Sequence, residues 1–143
     1  ALEKIGFPVL VNRGVALGIG KGLLYLAGVD DCWSGKPDLG SAMAGLPSNV
    51  PAVLLAHEPD SADLFAADGR VALQLSGHTH GGQVRLPGHG AILLPPFGRK
   101  YDQGLYQVDG MWLYTNRGLG LGPVPFRVNC PPEMTEFTLV SPD

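Results

Sequence analysis

Two histidines one residue apart, in Gly77-His78-Thr79-His80-Gly81-Gly82, are the residues of this sequence best suited to chemistry. An imidazole nitrogen is a good ligand for borderline metal ions. The apolar run 71–75 directly before the pair reads as a strand, which places both rings at a strand's carboxyl end. On extended chain, residues two apart project to the same side, so His78 and His80 are expected to share a rim. The neighbouring glycines allow the backbone to turn sharply and to approach a bound anion, which makes Gly81 and Gly82 candidate substrate contacts. His57, in Ala56-His57-Glu58-Pro59-Asp60, comes after a second apolar run and also falls at the carboxyl edge of a strand. Ligands of α/β sheets collect at that edge. His57, His78 and His80 are therefore the candidate metal ligands.

Other residues able to do chemistry read differently. His89 lies in Pro87-Gly88-His89-Gly90, a turn between two short strands, and is expected to be exposed rather than a ligand. Asp30-Asp31 admits two readings, a carboxylate pair behind the metals or an ordinary turn, and acidic turn formers are the commoner case. Gly18-Ile19-Gly20-Lys21-Gly22 lacks the Lys-Ser/Thr ending of a phosphate loop and opens no helix, so a hairpin turn is expected there. There is no Gly-x-Ser-x-Gly, and Cys32 has no adjacent base, which leaves nucleophilic catalysis without support. Cys32 and Cys130 are too few for a disulfide framework and neither sits in a CxxC pair, so two reduced thiols in a reducing compartment are expected. Arg85, Arg99, Lys100, Arg117 and Arg127 are the cations after the histidine pair. Each has solvated surface as its default role, although an arginine fork suits phosphate.

The elements that must position these residues are mostly strands. The chain has 143 residues, 45% hydrophobic and 16% charged, enough for one core. Its 21 glycines and 13 prolines are scattered singly between short apolar runs, the pattern of many strands joined by tight turns. Strands are expected over 9–12, 15–17, 23–29, 53–56, 71–75, 83–86, 91–94, 104–108, 111–115 and 136–140, with Asp109-Gly110 as a hairpin turn. Helices are expected over 37–44 and 59–67, the second with Pro59 in its first turn. Trp112, Tyr114 and Phe126 are expected in the core from their alternating setting. The fold class is thus β-rich α/β. A formal charge of -3 excludes a broad nucleic-acid surface. No apolar run approaches the ~20 residues needed to cross a bilayer, and no signal peptide is evident.

Three stretches together resemble calcineurin-like metallophosphoesterases: Ala56-His57-Glu58-Pro59-Asp60, the run from Ser76 through His78 and His80 to Gln83, and Tyr114-Thr115-Asn116-Arg117-Gly118-Leu119-Gly120. The resemblance covers nearly all of the chain and is greatest to the bacterial branch that includes lipid A precursor pyrophosphatases and related membrane-peripheral phosphoesterases. It implies a two-sheet sandwich flanked by helices and a dinuclear site that hydrolyses phosphomonoesters, phosphodiesters or pyrophosphate-linked lipids. By that resemblance His57 and His78 would bind one metal and His80 the other, with manganese, iron or zinc in the intact enzyme. Asn116 and Arg117, at the end of an expected strand, would contact substrate. A cytoplasmic or membrane-peripheral placement of bacterial type is implied by the same resemblance.

The departures matter as much. The family's Asp-x-His, Gly-Asp-x-x-Asp and Gly-Asn-His-Asp motifs do not occur in residues 1–143, so no catalytic residue is assigned in this chain. The chain is expected to be a single domain, the carboxyl-terminal portion of a metallophosphoesterase, with weak or no activity alone. Three imidazoles without those carboxylates would favour zinc, nickel or copper over manganese, magnesium or iron. Half of such a sandwich would expose a sheet edge or face and invite self-association. The alternative is a non-catalytic metal-binding or partner-binding β domain. A cupin-type oxygenase also uses His-x-His on β structure, but it expects a nearby glutamate that Gly81-Gly82-Gln83-Val84-Arg85 does not offer.

Overall fold

A computed structural model describes residues 2–47, 49–122 and 124–140. In chain order its strands are β1 (Arg13–Ile19), β2 (Gly22–Gly28), β3 (Ala52–Leu55), β4 (Val71–Ser76), β5 (Arg85–Leu86), β6 (Gly90–Ala91), β7 (Gly104–Val108) and β8 (Met111–Thr115). Six of them form one sheet in the order β1-β2-β3-β4-β8-β7, and β5 and β6 form a separate small hairpin. The four central strands β2, β3, β4 and β8 are mutually parallel, with β1 and β7 added antiparallel at the two edges. Central parallel strands are paired along both edges and apolar on both faces, so their sequences are nearly continuous apolar runs such as Ala-Val-Leu-Leu in β3.

Helical segments are short. α1 (Leu39–Ala42) starts at Asp38, whose side chain accepts a hydrogen bond from the Ser41 N–H. α2 (Ala62–Phe65) is flanked by 3-10 turns at Pro59–Ser61 and Ala66–Asp68, so 59–68 is one continuous helical stretch. Because side chains alternate along a strand, the register puts Tyr25, Ala27, Ala52, Leu54, Gln74, Ser76, Leu113 and Thr115 on one face, all of them buried. Ala42, Met43, Ala62, Phe65 and Ala66 pack on that face and close the core.

The opposite face is also apolar and only partly covered: Val53 and Leu73 are buried at its centre. Val15, Leu17, Leu55, Leu105 and Trp112 are exposed there. The end of the chain lies over part of it: Phe137 meets Tyr114 edge-on with ring centroids 5.0 Å apart, and Leu139 and Val140 share a groove with Leu23 and Leu24. Trp112 at 46% exposure and Phe126 at 55% are therefore not core residues, contrary to their apolar alternation. No helix among the described residues is long and apolar enough to cross a membrane.

Several boundaries move. The strand expected over 15–17 lies inside β1, which turns through Gly20 and Lys21 into β2, so the glycine-rich stretch is a hairpin, whereas residues 9–12 form no strand. The strands expected over 83–86 and 91–94 shrink to β5 and β6. Residues 136–140 form no strand. Phe137 and the chain around it are held by side-chain packing and by Thr135 and Glu133 rather than by a ladder. The helix expected over 37–44 is reduced to α1.

The four parallel strands end on one edge, and each is succeeded there by residues whose type and spacing suit chemistry. Asp30-Asp31 come after β2, His57-Glu58 after β3, His78-Thr79-His80 after β4, and Asn116-Arg117 after β8.

Candidate metal centre

The side chains that converge at this edge are His57, Glu58 and His78, whose ligand atoms all lie within 4.8 Å of one another. The two imidazoles meet edge-on at 5.0 Å between centroids, and Trp33 stands against His78 at 5.8 Å. The alternative of three imidazoles around one ion is not what the fold builds. His80 is outside the group, and a carboxylate completes it.

Glu58 is fully buried. Its Oε2 accepts the Cys32 N–H at 3.0 Å, while Oε1 has no hydrogen-bond partner among the described residues. A buried carboxylate oxygen without a partner is costly, and a cation is one of the few things that can compensate it. Two imidazoles and a carboxylate form a donor set that zinc uses in catalytic sites. Sequence reasoning missed Glu58, although the signal was present: an acidic residue directly after a candidate ligand at a strand end.

The His78-Thr79-His80 segment is not extended. His78 and His80 have φ of 65° and 52°, and Gln83 has φ 56°, so three non-glycine residues within six positions occupy a sparsely populated region. The rings are thus aimed by a strained turn, not by strand alternation. Each is held by a different loop. His78 Nε2 bonds Pro96 O at 2.8 Å. A carbonyl oxygen only accepts, so Nε2 carries the hydrogen and Nδ1 keeps the lone pair that a metal needs. His80 Nδ1 lies 3.0 Å from Gln83 Oε1.

Gly81 and Gly82 shape the turn. A Cβ on Gly81 would lie 2.7 Å from Cys130 Sγ, and one on Gly82 would lie 2.5 Å from the Ala91 Cβ. Their N–H groups donate to Thr79 Oγ1 and Thr79 O, so any substrate contact from these residues does not use the amides. Asn116 Oδ1 accepts the Gly118 N–H at 2.6 Å, its Nδ2 reaches Thr135, and Arg117 Nε pairs with Glu133. Burial pushes the Glu133 carboxyl up, but hydrogen bonds from Tyr114, Thr135 and Arg117 outweigh it and hold it below the usual range. The two Nη groups of Arg117 bond no described residue, which leaves that half of the fork open.

The remaining cations are largely engaged. Arg85 pairs with Asp102 at 2.6 Å and Lys100 with Asp63 at 2.7 Å, while Arg127 reaches the carbonyls of His80, Arg117 and Gly120. Arg99 is exposed. Asp30 and Asp31 take the turn role: Asp31 accepts from Trp33 and Ser34, and the Ser34 N–H foremost lowers its carboxyl to about 2. Cys32 and Cys130 are free thiols, and burial followed by the Glu58 charge pushes Cys32 up to about 11, so it is not a thiolate at neutral pH. His89 is exposed in the β5–β6 turn.

No family model and no solved structure matches the chain. Curated proteins do. It is 44% identical over 137 residues to the uncharacterized metallophosphoesterase YkuE of Bacillus subtilis, covering 95% of this chain and 48% of that protein. It is 36% identical over 141 residues to the phosphodiesterase YaeI of Escherichia coli, covering 97% and 50%. It is 37% identical over 125 residues to a transmembrane protein with metallophosphoesterase domain of Bos taurus, covering 81% and 27%. The chain therefore spans about half the length of the first two relatives, and with them it belongs to the calcineurin-like metallophosphoesterase family.

Proposed function

We propose that this chain supplies the histidine portion of a metal-dependent phosphoesterase site. The observation that carries the reading is that ligand atoms of His57, Glu58 and His78 lie within 4.8 Å of one another, with Glu58 fully buried and one of its carboxylate oxygens without a partner among the described residues. His57, His78 and Glu58 would hold one divalent ion, with His80 directed to a second. A divalent ion there supplies Lewis-acid polarisation of phosphoryl oxygens and acidifies water. The chain's own part is placement. Glu58 offsets positive charge, His78 is locked with Nδ1 free, and Arg117 with Asn116 at the end of β8 would meet a phosphoryl group through the open Nη groups. Gly81 and Gly82 allow the turn that sets His80 beside them.

The substrate class is a phosphoester small molecule, a diester or a pyrophosphate-linked lipid included. Because residues 1–143 hold no Asp-x-His, Gly-Asp-x-x-Asp or Gly-Asn-His-Asp, turnover by this chain alone is expected to be very slow. The test is a steady-state assay of the chain with a chromogenic phosphodiester, with and without manganese or zinc. Metal-dependent turnover lost in His78→Ala supports a phosphoesterase site; turnover that persists in that variant contradicts it.

A second reading, self-association, is favoured by the open apolar face that carries Val15, Leu17, Leu55, Leu105 and Trp112. Exposed apolar patches of this kind mark association surfaces. Sedimentation of the chain beside a Leu105→Glu and Trp112→Glu variant tests it. A dimer that dissociates in the variant supports it, and a monomer in both contradicts it.

A further inference from the structure

We infer that Gln83 is a positioning residue for His80: it fixes the ring hydrogen on Nδ1 and so presents the Nε2 lone pair as the metal-binding atom. The inference rests on the proposed role of His80 as a ligand, and it concerns the group that selects the ring form of that ligand.

The amide of Gln83 can sit only one way round. Its Nε2 donates to Val124 O at 2.5 Å and to Phe126 O at 3.2 Å, both obligate acceptors. Its Oε1 accepts the Gly122 N–H, an obligate donor. Exchanging O and N would set an oxygen against two carbonyl oxygens and an NH2 against an N–H, so three bonds agree on one orientation. The atom facing His80 Nδ1 at 3.0 Å is then an oxygen, and Nδ1 must be the donor. A neutral imidazole with its hydrogen on Nδ1 has a free lone pair on Nε2.

The backbone around Gln83 points the same way. Its φ of 56° and ψ of -40° lie outside the regions a glutamine ordinarily adopts, immediately after two glycines that would tolerate such geometry. The side chain is buried at 6% exposure, so the strained position is filled by a residue whose polar end is fully used. Other groups reach His80 through its backbone: Arg127 Nη1 and Cys130 Sγ both bond His80 O, at 3.1 and 3.3 Å. Gln83 contacts the ring. It also ties the ring to Gly122, Val124 and Phe126, so that these residues and the ring are set together.

Nitrogen-15 NMR of the histidine rings in the metal-free chain reads the ring form directly. The expected result is His80 protonated on Nδ1 and His78 protonated on Nε2. In Gln83→Met, near in volume but without the amide oxygen, His80 shifts toward the Nε2–H form while His78 is unchanged. Gln83→Glu, which keeps an acceptor, retains the Nδ1–H form. In a zinc titration followed at each ring, the concentration that shifts His80 rises about 10–100-fold in Gln83→Met, with His57 and His78 responding as before. Nε2–H on wild-type His80 overturns the inference whether or not Gln83→Met folds. So does an unaltered ring form and zinc response in that variant. Zinc that leaves wild-type His80 signals in place would instead sink the reading of His80 as a ligand, a result separable from the ring form measured without metal.

Discussion

The two histidines of one Gly-His-Thr-His stretch sit in opposite circumstances. His78 joins His57 and Glu58 in a cluster with its own carboxylate, and its ring is braced by Pro96 O from the 95–101 loop. His80 stands apart from that cluster and is braced by an uncharged amide, Gln83. On the proposed reading the first region would hold a cation with three of its own side chains, and the second would offer a single side-chain ligand. Two histidines of one motif, one residue apart, are thus held in different surroundings, with the backbone turned through positive φ at both positions.

The largest effect is expected at the proposed His57, Glu58 and His78 metal site. A His57→Ala and His78→Ala double variant is expected to lose stoichiometric zinc altogether, read by elemental analysis after gel filtration. Glu58→Gln sharpens it, because the effect should have two signs. Zinc affinity falls about 10–100-fold, a loss of the size seen when the groups around a metal are altered. The metal-free protein gains about 1–3 kcal/mol, because an unpaired buried charge is removed. Urea unfolding with and without zinc separates the two, and a Glu58→Gln protein less stable without metal would argue that the carboxylate is structural.

His80→Ala should change the affinity of the tight zinc by less than about threefold, since its ring is not a member of that site. Calorimetric titration checks this, and a loss as large as that of the double variant would merge the two regions into one site.

The smallest effect concerns the brace of His78. Asp60 accepts the Arg99, Lys100 and Tyr101 N–H groups, and Asp63 pairs with Lys100, so this loop is held by carboxylates. Hydrogen bonds from Lys100 and then Tyr101 lower the Asp63 carboxyl from its usual value. The stabilisation is thus present above the ordinary aspartate range and is lost as pH falls through the lowered folded value. With both side chains about half exposed, the contribution is at most about 1 kcal/mol. Thermal unfolding of wild type and Asp63→Asn should differ near pH 6 and converge in strong acid.

How much of this was legible depended on whether local chemistry or tertiary setting decided each element. The β7–β8 hairpin was readable because Asp109 and Gly110, at φ 44° and 86°, are the residues such a turn demands. The strand ends that carry His57 and His78 were readable from apolar runs. The turn at His78 and His80 was not, because positive φ is uncommon even for histidine and the setting is imposed by Pro96, Gln83 and the packing around Gly81 and Gly82. Nor was the exposure of Trp112, whose alternation is that of any core strand and whose face lacks the helical cover given to Leu113. The apolar residues at 136–140 read as a strand, yet Phe137 packs on Tyr114 without a ladder.

The most direct test of the proposed metal site is zinc content of the 143-residue chain by elemental analysis, beside the His57→Ala and His78→Ala double variant. Close to one zinc per chain is expected in the wild type and background in the variant. Background zinc in the wild type, or equal zinc in both, would contradict it.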